Sequence, residues 1–280
     1  MIRVILIAIA FLSLTLVLLP FQLVGIAFRL PIQRVIPHWY HRILCAVIGI
    51  RVRQIGRRSP EFPLLILANH ASWLDIVVVT ALTPAVFIAK REVATWPLFG
   101  QLAKLQRSVF IDRERRHKTG AATQEIAERL LGGDAVVLFA EGTSGDGNRT
   151  LPFRSALIGA VHHAIARSTH HDTVTVQPLS LAYVGLSGLP ISRASREHVS
   201  WYGDIDLIPH LIGVLRSGAI DVVASWGEPV AYGVSADRKE IARSAEAAVR
   251  RMTVGALRNT PPAQTADDAS SDIDAVPSSI

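Results

Sequence analysis

One cysteine, Cys45, occurs in 280 residues, so no disulfide can form within the chain. A domain working in a reducing compartment fits that scarcity. No set of Cys and His has zinc-ligand spacing. The pairs His162–His163 and His170–His171 have no third ligand at a useful separation and read as surface residues, so no metal is expected. Charge is missing altogether from Val4 to Phe28, and basic residues are missing from 259–280, which hold four Asp. A nucleophile elbow, Gly-x-Ser-x-Gly, is absent too: in Gly142-Thr143-Ser144-Gly145 the second glycine comes one place early. No internal repeat is evident.

The whole chain is half apolar with a net charge of +6, and because the tail is acidic the body before it is more basic than that figure. A basic body suits nucleic acid, anionic lipid or an acidic carrier. The apolar N-terminal run and the lack of any recognised binding motif speak against nucleic acid. As a helix, Val4–Phe28 would extend roughly 38 Å, enough for a hydrocarbon core of about 30 Å. Pro20 leaves two forms open, one crossing helix or two shorter ones dipping into a single leaflet. The run is long for a cleaved signal peptide and no small-residue cleavage site follows it, so an uncleaved anchor is expected. Only Arg3 precedes it, whereas Arg29, Arg34 and Arg42 follow, which assigns the rest of the chain to the cytoplasmic face of the inner membrane. His38–Ile50 reads as a second membrane-facing helix. Next come Arg51, Arg53, Arg57 and Arg58, a basic patch worth about 1 kcal/mol per residue against anionic lipid.

Beyond this the pattern alternates. Strands are expected at Leu64–Ala68, Ala85–Ala89, Ser108–Ile111, Ala135–Phe139, Val174–Tyr183 and Ile220–Ser225. Helices are expected at Leu74–Leu82, near Pro97–Leu105, and at Thr119–Leu131, Ser155–Arg167 and Asp237–Leu257. Such alternation implies an α/β domain, a layered sheet flanked by helices, preceded by N-terminal membrane-associated helices. The chain divides into 1–50 (anchor), 51–258 (globular domain) and 259–280, a Pro-, Ser-, Ala- and Asp-rich tail expected to be disordered.

The run Ala68-Asn69-His70-Ala71-Ser72-Trp73-Leu74-Asp75 places a histidine at a strand end and an aspartate in the first turn of the next helix. An imidazole takes a proton from a hydroxyl near neutral pH, and a carboxylate on its other nitrogen fixes the tautomer. Asn69 either bonds the loop that holds His70 or is simply a turn residue. Three further blocks follow: Phe110-Ile111-Asp112-Arg113, then Phe139-Ala140-Glu141-Gly142-Thr143-Ser144 with Pro152-Phe153-Arg154, then Val176-Gln177-Pro178-Leu179. Over Leu64 to Tyr183, the order and spacing of these blocks resemble the glycerolipid acyltransferase family, which includes the lysophosphatidate acyltransferases. The resemblance implies a glycerol-3-phosphate acyltransferase-like fold, His70 and Asp75 as the catalytic pair, Arg113, Glu141 and Gly142 as acceptor contacts, and Pro178 as a residue shaping the acyl site.

The third block of that family usually continues Glu-Gly-Thr-Arg. Here Ser144 stands at the fourth position, and the loop Gly145-Asp146-Gly147-Asn148 leads to Arg149. Together with Trp201-Tyr202-Gly203-Asp204-Ile205-Asp206, this form looks like the branch that acylates lyso-ornithine lipid, a phosphorus-free aminolipid. Thr143 and Ser144 are further donors toward the acceptor, and Arg149 and Arg154 are candidate anion binders. Lys90 either meets the acceptor's head group or the carrier's phosphates, or is a solvated helix start.

The function so implied is transfer of a fatty acyl group from a thioester, acyl-CoA or acyl carrier protein, to the free hydroxyl of a lysolipid. That is 1-acylglycerol-3-phosphate to phosphatidate, or lyso-ornithine lipid to ornithine lipid. His70 would act as general base without an acyl-enzyme, and no cofactor is needed beyond the thioester co-substrate. Two other classes compete: a membrane-bound lipid esterase, which would need the nucleophile the sequence lacks, and a non-catalytic membrane scaffold.

Overall fold

The computed structural model describes residues 1–111, 119–156, 158, 173–233 and 236–258. Two helices come first, α1 (Ile2–Ala27) and α2 (Ile32–Ile48). The first runs unbroken through Pro20, so of the two forms left open by the sequence the structure has the single long helix. It is the one described helix long and apolar enough to cross a membrane, judged by length and composition. Most of its surface is exposed, including Leu6, Leu12, Leu16 and Phe21. Gly25 marks its close crossing with α2, where an added Cβ would lie 3.0 Å from Ile32. Nearby, Gln22 Nε2 donates to the carbonyls of Gln33 (3.1 Å) and Leu105 (2.7 Å), tying α1 to the body.

The second helix starts earlier than expected and does more than face a membrane. Tyr40, Leu44, Cys45 and Ile48 are buried and belong to the main core, while Trp39 and Ile43 on the other side stay exposed. Gly49 ends it in the left-handed region at φ 86°, a conformation that suits glycine, and its N–H bonds Cys45 and Ala46.

The remaining elements are β1 (Ile50–Ile55), β2 (Leu64–Ala68), α3 (Leu74–Leu82), β3 (Val86–Lys90), a 3₁₀ turn at Arg91–Thr95, α4 (Phe99–Leu105), β4 (Val109–Ile111), α5 (Thr119–Leu131), β5 (Ala135–Phe139), β6 (Thr173–Leu186), β7 (Leu189–Pro190), a 3₁₀ turn at Ser195–His198, α6 (Leu207–Arg216), β8 (Ile220–Trp226), β9 (Val230–Gly233) and α7 (Arg238–Leu257). The strands form one sheet in the order β1-β8-β6-β2-β5-β3-β4, with β7 and β9 also paired to β6. From β6 to β4 all neighbours are parallel, and β8 runs antiparallel to β6. The basic residues Arg51 and Arg53 lie on β1, exposed at the sheet edge.

The sheet is covered on both faces, which is why its inner strands read as continuous apolar runs. Leu64, Ile66 and Ala68 of β2 face the layer of α2, α3 and α6, packing with Leu44, Val78 and Val214. Leu65 and Leu67 face the other layer, where α5 and α7 supply Ile126, Leu130, Ala245 and Val249. Asp237 caps α7 by accepting from Lys239 N–H at 2.9 Å. Because β2, β5 and β3 are parallel, Asn69–His70, Ala140–Glu141 and Lys90 come out at one edge of the sheet. That carboxyl edge is where open α/β sheets bind ligands.

Pro178 is not at a sheet edge or bulge, as proline in a strand would suggest; it pairs with Leu67 in the middle of the sheet. It is tolerated because β6 changes neighbours there. Pairing with β9 ends at Val176, pairing with β8 begins at Leu179, and the Pro178 carbonyl still accepts Gly227 N–H at 2.8 Å. The N–H that proline lacks is replaced by Gln177 Nε2, which donates to the Gly227 carbonyl at 3.0 Å. The expected helix Ser155–Arg167 lies largely outside the described residues, as do the tail 259–280, Arg113 and the four paired histidines.

Candidate active site

β2 ends at Ala68, and the chain turns through Asn69 and His70 into α3. Asp75 Oδ2 gathers three donors at that turn: His70 Nδ1 at 2.8 Å, Ala71 N at 2.7 Å and Ser72 N at 2.9 Å. The same carboxylate therefore ties down the turn that precedes α3 and orients the imidazole. With the proton on Nδ1, Nε2 is left as the acceptor. Asp75 is completely buried, whereas the His70 side chain keeps 19% of its surface exposed. Phe139, at the end of β5, stacks on the imidazole at 4.1 Å between ring centroids with an 11° interplanar angle. That contact restrains the ring against rotation.

The second Asp75 oxygen has its own partner. Tyr183 on β6 donates its hydroxyl to Oδ1 at 2.6 Å, and the ring is almost wholly buried. Burial, and then the neighbouring carboxylate, push the tyrosine pKa well above its ordinary value, so the hydroxyl stays a donor. Tyr183→Phe is expected to leave Oδ1 buried without a donor and to lower stability by about 1–3 kcal/mol. A urea titration reads this as a lower midpoint at constant m value; an unchanged midpoint would mean that the bond contributes nothing.

Three candidate substrate-site residues, Asn69, Glu141 and Pro178, are turned inward. Asn69 is buried and bridges to β6 with both amide atoms, Nδ2 to the Leu181 carbonyl (2.9 Å) and Oδ1 from Leu181 N–H (2.8 Å). It prolongs the β2–β6 pairing by one side chain. Glu141 is 2% exposed, and its two oxygens accept the backbone N–H groups of His70 (3.1 Å) and Leu151 (2.8 Å). Burial raises its pKa to about 8, against the pull of those two amides. Its carboxyl holds the His70 turn to the 141–151 loop, assisted by Gly145 N–H donating to the His70 carbonyl at 2.8 Å. Pro178 sits in the sheet, as described above.

The groups that do meet in one space are His70, Lys90, Gly142, Thr143 and Ser144. They line a cavity of about 680 Å³ that runs on between α1, α2, α3, α4 and α6. Its wall is mostly apolar, with Phe11, Leu18, Leu44, Val77, Leu102 and Leu211 among the lining residues. Gly142 has φ 75°, which only glycine adopts without strain, and this brings the Thr143–Ser144 turn onto the cavity. Arg149 and Arg154 are exposed and do not line it. Among the described residues no group of three or more His, Cys, Asp or Glu could hold a metal ion. The geometry thus provides a held imidazole facing an apolar cavity, an arrangement able to take a proton from a hydroxyl carried by an apolar chain.

A family model described as acyltransferase matches residues 49–182. A lyso-ornithine lipid O-acyltransferase from Brucella abortus is 48% identical over 256 residues, covering 91% of this chain and 96% of that protein. The chain belongs to the acyltransferase family. A second lyso-ornithine lipid O-acyltransferase, from Rhizobium meliloti, is 43% identical over 92% of this chain and 88% of its own length. A 1-acyl-sn-glycerol-3-phosphate acyltransferase from Neisseria meningitidis is 33% identical over 55% of this chain and 56% of its own. The crystal structure of the 1-acyl-sn-glycerophosphate (LPA) acyltransferase from Thermotoga maritima has the same fold, with a TM-score of 0.63 at 19% identity over 94% of this chain and 99% of that one. The mixed α/β fold with a central sheet and an apolar N-terminal helix is therefore as the sequence implied.

Phe139 and Tyr183 were not legible as site residues. The first ends a strand and opens the third sequence block, but neither gives its ring a role. The second is 108 positions from its partner in the chain, and no pattern announces the pair.

Proposed function

We propose that this acyltransferase moves a fatty acyl group from an acyl thioester to the free hydroxyl of lyso-ornithine lipid. The observation that carries the chemistry is the pairing of His70 with the buried Asp75, which leaves Nε2 without a partner among the described residues beside the apolar cavity. The acceptor hydroxyl gives its proton to Nε2 as its oxygen attacks the thioester carbonyl. Asp75 steadies the resulting imidazolium. The tetrahedral intermediate collapses by breaking its C–S bond, and the departing thiolate takes the proton back from His70. One ester forms, one thioester is lost, and no group on the protein is acylated.

Support for the acceptor comes from two relatives named lyso-ornithine lipid O-acyltransferases, which match this chain over 91% and 92% of its length. Ser144, where the phosphate-handling branch carries Arg, agrees with an acceptor that lacks phosphate. Each methylene buried in the cavity contributes about 0.8 kcal/mol, so the acyl tail is held by its length. The exposed apolar surface of α1 supports attachment to the inner membrane, with the sheet domain on the cytoplasmic face. Acyl-CoA and acyl carrier protein are the two donors to be compared, and Arg113 is a proposed contact to the acceptor.

Purified protein given each radiolabelled donor with lyso-ornithine lipid or lysophosphatidate is expected to form ornithine lipid in preference to phosphatidate. Release of free fatty acid regardless of acceptor would overturn the reading in favour of an esterase. Ser144→Ala is expected to keep kcat within about threefold, since no nucleophile elbow surrounds it. Complete loss of activity, with an acylated Ser144 trapped in the wild type, would contradict direct transfer.

A further inference from the structure

Among the described residues lining the cavity, the formally charged side chains apart from histidine are one cation, Lys90, and one carboxylate, Asp204. Both are exposed, and neither has a hydrogen-bond or ion-pair partner among the described residues. They stand on two arms that meet. Lys90 ends β3 and leads through the 3₁₀ turn to Trp96, while Asp204 follows Trp201. The two tryptophans touch edge to face, with centroids 5.8 Å apart. The second arm is fixed beside the base, because Trp201 N–H donates to the Ala71 carbonyl at 2.7 Å and Trp201 Nε1 to the Ile205 carbonyl at 2.7 Å. Among the described residues, one free positive and one free negative charge therefore share the cavity wall with His70.

A site built for a phosphate monoester would gather cations and exclude carboxylates, since like charges brought together repel. We infer that Lys90 and Asp204 form a head-group site for a zwitterionic acceptor, with Lys90 taking its carboxylate and Asp204 its ammonium. An ornithine head group attached through one of its amines keeps one ammonium and one carboxylate, whereas lysophosphatidate offers only an anion. This inference rests on the acceptor reading above and assigns two residues to it. Asp204 is then a specificity-determining residue within Trp201–Asp206, a run whose resemblance to the lyso-ornithine branch gives none of its residues a role.

The test is a cycle of two proteins and two acceptors. Wild type and Asp204→Asn are assayed with lyso-ornithine lipid and with the same lipid acetylated on its free amine. In wild type, acetylation is expected to raise KM about fivefold, the scale of one exposed ion pair, with kcat within about twofold. Asp204→Asn should raise KM for the free amine by a similar factor and be indifferent to acetylation. Equal discrimination by both proteins, or an unchanged KM in the variant, would overturn the assignment while leaving the acceptor reading intact. Failure of wild type to acylate lyso-ornithine lipid at all would overturn both. A melting curve for Asp204→Asn is expected to match wild type, since no bond within the described residues is lost.

Discussion

His70→Ala is expected to lower kcat by about 10² to 10⁴-fold, the usual worth of a positioned general base. With the proposed thioester donor already activated, what the protein would add is the removal of one proton from a lipid hydroxyl. In this structure Nε2 of His70 is the basic atom placed to accept it beside the cavity. The loss should fall on kcat more than on KM, because the apolar wall that holds the acyl chains is untouched. It should also be separable from folding. The His70 side chain is partly exposed and only one hydrogen bond of its ring would go, while its backbone bonds to Glu141 and Gly145 remain. Sedimentation with vesicles is expected to be unchanged, since α1 is untouched. Activity near wild type would leave another base as the better reading.

The second large effect belongs to Asp75→Asn. This change removes a charge and leaves the shape. The amide oxygen can still accept from His70, Ala71 and Ser72, and the amide nitrogen can donate to a Tyr183 hydroxyl that turns to accept. The fold is therefore expected to survive, with kcat lower by about 10² to 10⁴-fold because the imidazolium formed during transfer loses its counter-charge. Asp75→Ala is the contrasting variant. It strips buried donors of their acceptor and should cost several kcal/mol, at about 1–3 kcal/mol for each group left unsatisfied. Wild-type kcat in a well-folded Asp75→Asn protein would show that the carboxylate is structural only.

The parts of this site that a reader of the sequence can find are those encoded close together. His70 and Asp75 sit within six residues, and the strand before them and the helix after them are marked by runs of apolar side chains. Leu64–Ala68 and Ala135–Phe139 were readable at their observed limits because parallel strands buried on both faces leave no polar alternation to blur their ends. Thr119–Leu131 was readable because its apolar residues recur at helical spacing. Direction was harder than position. Residue type alone points Glu141 and Asn69 at a ligand as readily as into the protein. The structure turns both inward to hold backbone amides, because the strand ends there expose N–H and C=O groups that burial obliges them to satisfy. Tyr183 reaches the site only through strand order, and Asp204, although it lies in the run Trp201–Asp206, reaches it only through a long loop, so neither placement is encoded locally. Pro178 misleads for a related reason: its tolerance depends on β6 exchanging one neighbour for another at that residue.

Direct transfer, with His70 as base and no acylated protein, is tested most plainly by initial rates measured with donor and acceptor varied together. Both substrates must be bound before any bond changes, so double-reciprocal plots are expected to intersect. Parallel lines, the signature of a donor that reacts and leaves before the acceptor binds, would contradict the account.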